Sequence, residues 1–414
     1  MINAKNNTNP KKDFLWNAIG LTLNSCNSLF FLIIVRFING LGVAGIFTYA
    51  FALCIFLYTF VIFYNRSFQV SDSKDKFTFN EYLTCRFITS IIGFAATILF
   101  AFINQLSTFE IGVVTSLAVF RIIEAISDCF YGAIQKKNKL YRTGISLSLK
   151  AILGLLALFI VDYLTNNLIL AIIALIAVNL IIFFVYDLRN FHQLHKSKVK
   201  LSFTHLKPLF KSCLPIFIFS ALAIYLSNCQ KYILPYYASD DIQAIYGILI
   251  MPATILGLIG SYLINPFIGL FTHHHENKNY KAYIKSAQKI LLFLTGIGIA
   301  ALITSYFIGI PILELVFQLD LSIYQIALIL IILASLFYAA ALVISNLLTI
   351  LNENRRQTYI YFISALIATV TSILLIPNSG IFGAVHSFLI SSFILIILYV
   401  ILLQITLHKN KHEK

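Results

Sequence analysis

Apolar residues run along this chain in blocks of about twenty, each closed by a short polar or turn-forming break. Roughly twenty apolar residues in helix are needed to cross ~30 Å of hydrocarbon, so the blocks read as membrane spans. Twelve are expected, at 14–36, 43–64, 84–105, 108–134, 146–162, 167–186, 212–234, 243–270, 287–310, 320–351, 357–376 and 380–407. The fourth, eighth and tenth exceed the minimum, which predicts tilt, kinks or extension beyond the bilayer. Pro252 and the pair Asn265-Pro266 mark places where the eighth helix is expected to bend.

Composition agrees with the pattern. Of 414 residues, 59% are hydrophobic and only 11% are charged, and mean hydropathy is +0.88. Soluble domains carry about 25% charged residues, so a soluble enzyme is excluded. A single-span receptor is excluded too, because apolar blocks occupy the whole length. The remaining class is an all-α polytopic membrane protein.

The formal charge is +14, from 30 Lys and Arg against 16 Asp and Glu. Its distribution alternates. Residues 1–13 carry Lys5, Lys11 and Lys12; residues 65–86 carry Arg66, Lys74, Lys76 and Arg86; residues 135–150 carry Lys136, Lys137, Lys139, Arg142 and Lys150. Segments 187–211, 272–289, 352–356 and 408–414 hold six, four, two and three more, which accounts for 27 of the 30. The opposite breaks, at 37–43, 104–109, 163–168, 235–242, 311–319 and 377–381, hold none. By the positive-inside rule both termini and every basic loop are expected in the cytoplasm. No cleavable signal peptide is expected, since the first span is long and lacks a small-residue cleavage site.

The basic stretch 187–211 divides the spans six and six, giving expected domains 1–200 and 201–414. Six per half is an even number, so the halves are expected as two parallel six-helix bundles around a central cavity, as in carriers that rock two repeats about a substrate site. Cysteines 26, 54, 85, 129, 213 and 229 are scattered without metal or redox spacing and read as small core residues. The run His273-His274-His275 reads as solvated loop. No metal, catalytic group or cofactor is expected.

Three cations remain inside the spans: Arg36, Arg121 and Lys231. Arg121 lies fourteen residues from Gln135, roughly 21 Å at 1.5 Å per residue. Arg121, Glu124, Asp128, Tyr131 and Gln135 repeat at spacings of three and four, which places them on one helical stripe. Such a stripe cannot face lipid. Glu124 and Asp128 are candidates to balance Arg121 or to carry a coupling ion; the plainer reading is an intrahelical Arg121–Glu124 pair. Arg36 and Lys231 stand at matching positions of spans one and seven. Asn17, Asn24 and Asn27 accompany the first, and Ser220, Ser227, Asn228 and Gln230 the second. Snorkelling to the interface is one explanation; a polar-lined cavity attractive to an anion is the other.

At these residues a family resemblance becomes specific. The stretch Glu124-Ala-Ile-Ser-Asp128-Cys-Phe-Tyr131-Gly132-Ala-Ile-Gln135 resembles the fourth-span signature of bacterial polysaccharide repeat-unit flippases. These are the O-antigen and capsule branch of the multidrug/oligosaccharidyl-lipid/polysaccharide (MOP) exporter superfamily. Phe14-Leu-Trp16-Asn17-Ala-Ile-Gly20, Phe68-Gln69-Val70-Ser71-Asp72 and Asn228-Cys-Gln-Lys231-Tyr232 with Ala244-Ile-Tyr246-Gly247 and Pro252 are similar to that family as well. The basic cluster after Gln135 is kept, Lys150 resembles an Arg frequent at the start of span five, and Cys129 replaces a small aliphatic residue.

The resemblance implies a MATE-like fold in a bacterial cytoplasmic (inner) membrane. It also implies flipping of an undecaprenyl-pyrophosphate-linked oligosaccharide for O-antigen, lipopolysaccharide or capsule synthesis. The implied partners are the lipid-linked substrate, membrane lipid, and the polymerase and glycosyltransferases of the same synthesis, not nucleic acid. Arg36, Lys231 and Arg121 are the expected pyrophosphate ligands. A drug or cation exporter of the same superfamily is the nearest competitor, but spans one and seven offer no carboxylate. A major-facilitator carrier lacks its Gly-rich, Asp-Arg loop at 65–83. A membrane glycan enzyme lacks an outer domain and a paired His or Ser site.

Overall fold

The computed structural model describes residues 10–72, 75–195 and 199–412; Lys5, Lys74, Lys196, Lys198 and Lys414, counted above, lie outside them. The described chain is helical almost throughout. It parts into two compact units, Met1–Ala221 and Leu222–Lys414.

The first unit contains α1 (Pro10–Asn39), α2 (Leu41–Ile62), a short α3 (Asn65–Ser71), α4 (Phe79–Ile103), α5 (Thr108–Lys136) and α6 (Leu140–Thr165). Then α7 (Leu168–Ile182) continues through a π-helical turn at Phe183–Leu188 into α8 (Arg189–Leu194), and α9 (Leu206–Ile233) begins. Local chemistry sets these boundaries. Thr78 with Glu81 and Ser107 with Glu110 form capping boxes that satisfy the first amides of α4 and α5. The Asn167 side chain accepts from the amides of Ile169 and Leu170 to start α7. Between α2 and α3 both Phe63 and Tyr64 adopt left-handed φ, 42° and 47°, which turns the chain sharply and aims α3 back at α5. Helices α1 and α6 approach backbone to backbone, because Gly20 and Gly144 face each other with no side chain between them. The end of the unit where the basic loops gather has its own aromatic core of Phe77, Tyr82, Phe130, Phe183 and Phe191.

The second unit continues α9 and adds α10 (Asp240–Leu249), α11 (Met251–Ile264), α12 (Ile268–Glu276), α13 (Tyr280–Thr304), α14 (Ile310–Phe317), α15 (Gln325–Ile350) and α16 (Asn354–His412). The expected eighth span is broken before Pro252 and again by a 3-10 turn at Asn265–Phe267, the two places where proline removes a helical donor. His273, His274 and His275 close α12 rather than sit in a loop. Ile264, Phe271, Tyr283, Leu294, Ala339 and Leu347 form the core of this unit, and the Tyr283 hydroxyl donates to the carbonyl of Leu347 at 2.8 Å.

Within α16 the backbone leaves the helical region at Gly380, with φ 50° and ψ −122°. The arms on either side run back to back. Gly383 lies against the backbone of Leu375 and Ile376, while the Ser387 hydroxyl pairs with Thr371 and Ser372 and donates to the carbonyl of Ala368. The element is therefore a helical hairpin.

Ten described helices are long and apolar enough to cross a membrane, so the chain is a multi-pass membrane protein. The expected twelve differs from this count at two identifiable places. The α16 hairpin counts once although its arms are antiparallel. Helix α5 has 29 residues but carries Arg121, Glu124 and Asp128 in its apolar length.

Candidate functional site

The polar stripe of α5 organises the first unit. Along this one helix, Arg121 and Glu124 pair locally, whereas Asp128, Ser127 and Tyr131 take partners from other elements. Arg121 pairs with Glu124 one turn on, at 2.6 Å. Its guanidinium also lies over the rings of Phe51 and Tyr58, 4.6 and 5.6 Å from their centroids. The pair is thus intrahelical, the plainer of the two expectations.

Asp128 does not serve Arg121. Its Oδ1 accepts from Arg66 Nη1 at 2.8 Å and its Oδ2 from Arg86 Nη2 at 3.3 Å. Arg66 reaches it from α3 and also donates to Gln135 Oε1 at 3.0 Å. Arg86 reaches it from α4 with no exposed surface, and its second amine donates to the carbonyl of Val61. Tyr58, Ile62, Tyr64, Arg66, Val70, Ser71, Asp128 and Gln135 line a cavity of about 440 Å³ beside these groups.

Tyr131 leads to a third cluster. Lys150, from α6, holds Asp187 at 2.6 Å, Ser127 at 2.7 Å and the Tyr131 hydroxyl at 3.0 Å. Ser146 donates to Asp187 and shares a hydrogen bond with Tyr131. Asp187 lies in the π-helical turn of Phe183–Leu188, so the widened turn presents its carboxylate to Lys150. A buried charge needs a partner and further hydrogen bonds to be tolerated, and this pair has both.

Arg66, Arg86 and Lys150 were counted above with the basic loops; in the structure each is also the ion-pair partner of a carboxylate within the first unit, which the segment count did not anticipate. A signal was present, since Arg86 and Lys150 fall inside the apolar blocks starting at 84 and 146. Nothing in the local sequence nominated Asp187.

The expected residues of span one lie on α1. Asn27 is buried and donates to the carbonyl of Ala151 at 3.4 Å; Asn17 and Asn24 are half-buried. Arg36 is half-buried too, makes no ion pair among the described residues, and has a buried Nε without a partner. One turn further, Asn39 donates to Asp162 Oδ2 at 2.6 Å. In the second unit, Ser227 and Asn228 both bond the carbonyl of Ile224. Gln230 is buried and donates to Ser387 at 3.3 Å. Lys231 is half-buried and makes no ion pair among the described residues; its carbonyl accepts from Gln243.

At the basic-loop end of the first unit, Asp72 and residues 75–78 are pinned to this framework. Asp72 accepts from the amides of Lys76 and Phe77, both at 3.0 Å, and from the Tyr82 hydroxyl at 3.1 Å. Burial raises its carboxyl, but these hydrogen bonds and nearby Lys136 outweigh it and hold the group below the usual carboxylate range. Lys136 bonds the Asp72 carbonyl and the Asp75 carboxylate. Among the described residues no group of three His, Cys, Asp or Glu could hold a metal ion. All six cysteines are free; five are buried and Cys26 is half-buried.

No family model matches the chain. Its sequence is similar to the capsular polysaccharide biosynthesis protein CapF of Staphylococcus aureus, 23% identical over 376 residues, covering 90% of this chain and 94% of that protein. Its fold is similar to the lipid II flippase MurJ in an inward closed conformation, with a TM-score of 0.71, 13% identity, and coverage of 96% of this chain and 90% of that one. It is also similar to an outward-facing multidrug resistance MATE family transporter of the MOP superfamily, with a TM-score of 0.62, 12% identity, and coverage of 99% and 98%. The fold expected from the resemblance is borne out: it is all-helical and MATE- and MurJ-like.

Proposed function

We propose that this chain, a multi-pass membrane protein with the fold of the MOP superfamily, is a transporter that flips a lipid-linked oligosaccharide across a bacterial cytoplasmic membrane for surface polysaccharide synthesis. The observation that carries this reading is the charge left over once the internal pairs are made. Glu124, Asp128 and Asp187 are each matched by a cation of the same unit. Arg36 and Lys231, one in each unit, are matched by no carboxylate among the described residues. A cation in a membrane span without a counter-charge is costly, and an anionic substrate group offsets that cost when it binds. Arg36 offers a pyrophosphate bidentate geometry and Lys231 a point charge. Arg121 is already balanced by Glu124, so it contributes a positioned dipole more than a free charge. The similarity to CapF favours a polysaccharide precursor over other lipid-linked anions.

The MATE likeness keeps a cation or drug exporter as the competing reading, and one experiment separates the two. In a strain lacking its own repeat-unit flippase, the wild-type chain restores surface glycan and the double variant Arg36→Ala/Lys231→Ala does not, with both present in the membrane at equal amounts. Unchanged glycan export by the double variant refutes the anion reading. Efflux of organic cations lost in parallel would instead favour the exporter.

A further inference from the structure

The first unit contains a second positive charge that its own residues do not balance, at a different place from Arg36. Arg86 has no exposed surface, and a buried ion pair that loses one partner leaves an uncompensated charge away from water. Its one ion-pair partner among the described residues is Asp128. The same carboxylate also holds Arg66. Two guanidiniums therefore share a single negative charge, and the cluster carries a net +1. Of the two, only Arg66 can be released from the sharing. It is 23% exposed and lines the 440 Å³ cavity, where Tyr58, Tyr64, Ser71 and Gln135 add hydroxyl and amide donors. Its position is fixed from behind: Phe63 and Tyr64 turn the backbone left-handed, and Asn65 donates to the carbonyl of Tyr82 at 2.8 Å.

We propose that this cavity is an anion site for a phosphate or pyrophosphate group, with Arg66 as its main ligand. An arriving phosphate takes the Arg66 guanidinium in a bidentate contact, Asp128 is left to Arg86 alone, and each guanidinium then has an anion of its own. The inference rests on the flippase reading in one respect: the anion is taken to be the substrate's pyrophosphate, captured at the basic-loop end before it meets Arg36 and Lys231.

The test uses the full chain in nanodiscs with two probes, inorganic pyrophosphate and a polyprenyl pyrophosphate in the bilayer. Wild type binds at least one. Binding of the lipid-borne probe only assigns the site to a lipid headgroup; equal binding of both assigns it to the anion whatever its source. Arg66→Gln weakens binding about tenfold or more, the loss expected for one charge-assisted contact. Ser71→Trp fills the cavity while leaving all three charged groups in place, so it decides the matter if Arg66→Gln folds poorly, and it too lowers binding about tenfold. No binding by wild type, or wild-type affinity in a folded Arg66→Gln or Ser71→Trp, overturns the site. In the Arg36→Ala/Lys231→Ala background, Arg66→Gln still lowers the remaining binding about tenfold, because the two places bind the anion through different cations. Failure of the export experiment with Arg66→Gln still defective here would thus remove the flippase reading and leave the anion site standing.

Discussion

Lys150 and Asp187 form a 2.6 Å ion pair with 5% and 1% of their side chains exposed, the most enclosed pairing of opposite charges among the described residues. The relationship joins α6 to the π-helical turn after α7, thirty-seven residues away in sequence. Replacing Lys150 by Met leaves Asp187 buried without a counter-charge, and the expected loss is about 3–5 kcal/mol. The double variant Lys150→Met/Asp187→Leu recovers most of it, because both desolvated charges are gone. Denaturant unfolding in detergent micelles measures both. A double variant no more stable than Lys150→Met would show that the hydroxyls of Ser127, Ser146 and Tyr131, not the ion pair, hold this cluster.

Gly144 sets how closely α1 and α6 approach. A Cβ there would meet the carbonyl oxygen of Trp16 at 2.2 Å, backbone that cannot move aside locally. Gly144→Ala is expected to cost about 1–3 kcal/mol through overpacking. Gly296 on α13 has nothing within 4 Å of its would-be Cβ, so Gly296→Ala is expected to be neutral or stabilising by up to ~1 kcal/mol from helix propensity. Melting midpoints of the two variants in the same detergent should move in opposite directions or differ clearly in size.

The carboxyl of Asp72 titrates below its unfolded value, since its hydrogen bonds and Lys136 outweigh the effect of burial. A depressed carboxyl stabilises the fold above the unfolded pKa of ~3.9 and loses that contribution as pH falls through the folded value. The melting deficit of Asp72→Asn relative to wild type should therefore be full at pH 7, hold down to about pH 5, and shrink towards pH 3. A deficit independent of pH would assign the residue's role to its geometry alone.

The α5 stripe was legible because Arg121, Glu124, Asp128, Tyr131 and Gln135 repeat at helical spacing, and periodicity is a local property. Their partners were not legible. Arg66, Arg86 and Lys150 look like loop anchors when charge is counted by segment, yet the direction a side chain takes depends on which helix packs beside it. Asp187 is presented by a π-helical turn, and no residue pattern at 183–188 announces one. The starts of α4 and α6 lie further out than the apolar blocks predict for a related reason. Capping by Thr78 and Glu81 extends α4 into polar residues, and α6 begins at Leu140 although basic residues surround it. Hydropathy marks where a helix meets lipid, not where its hydrogen bonds stop.

The Gly380 reversal carries a consequence for the sidedness of the chain. At 1.5 Å per residue, a straight α16 of 59 residues would extend about 90 Å, three times the hydrocarbon thickness. Folded at Gly380, the same residues leave and return, so the segment after Tyr399 emerges on the side from which Asn354 set out. The parity of the whole polypeptide, whether its last residues share a compartment with the loop before α16, is thereby decided at a single backbone torsion that any residue with a side chain would resist.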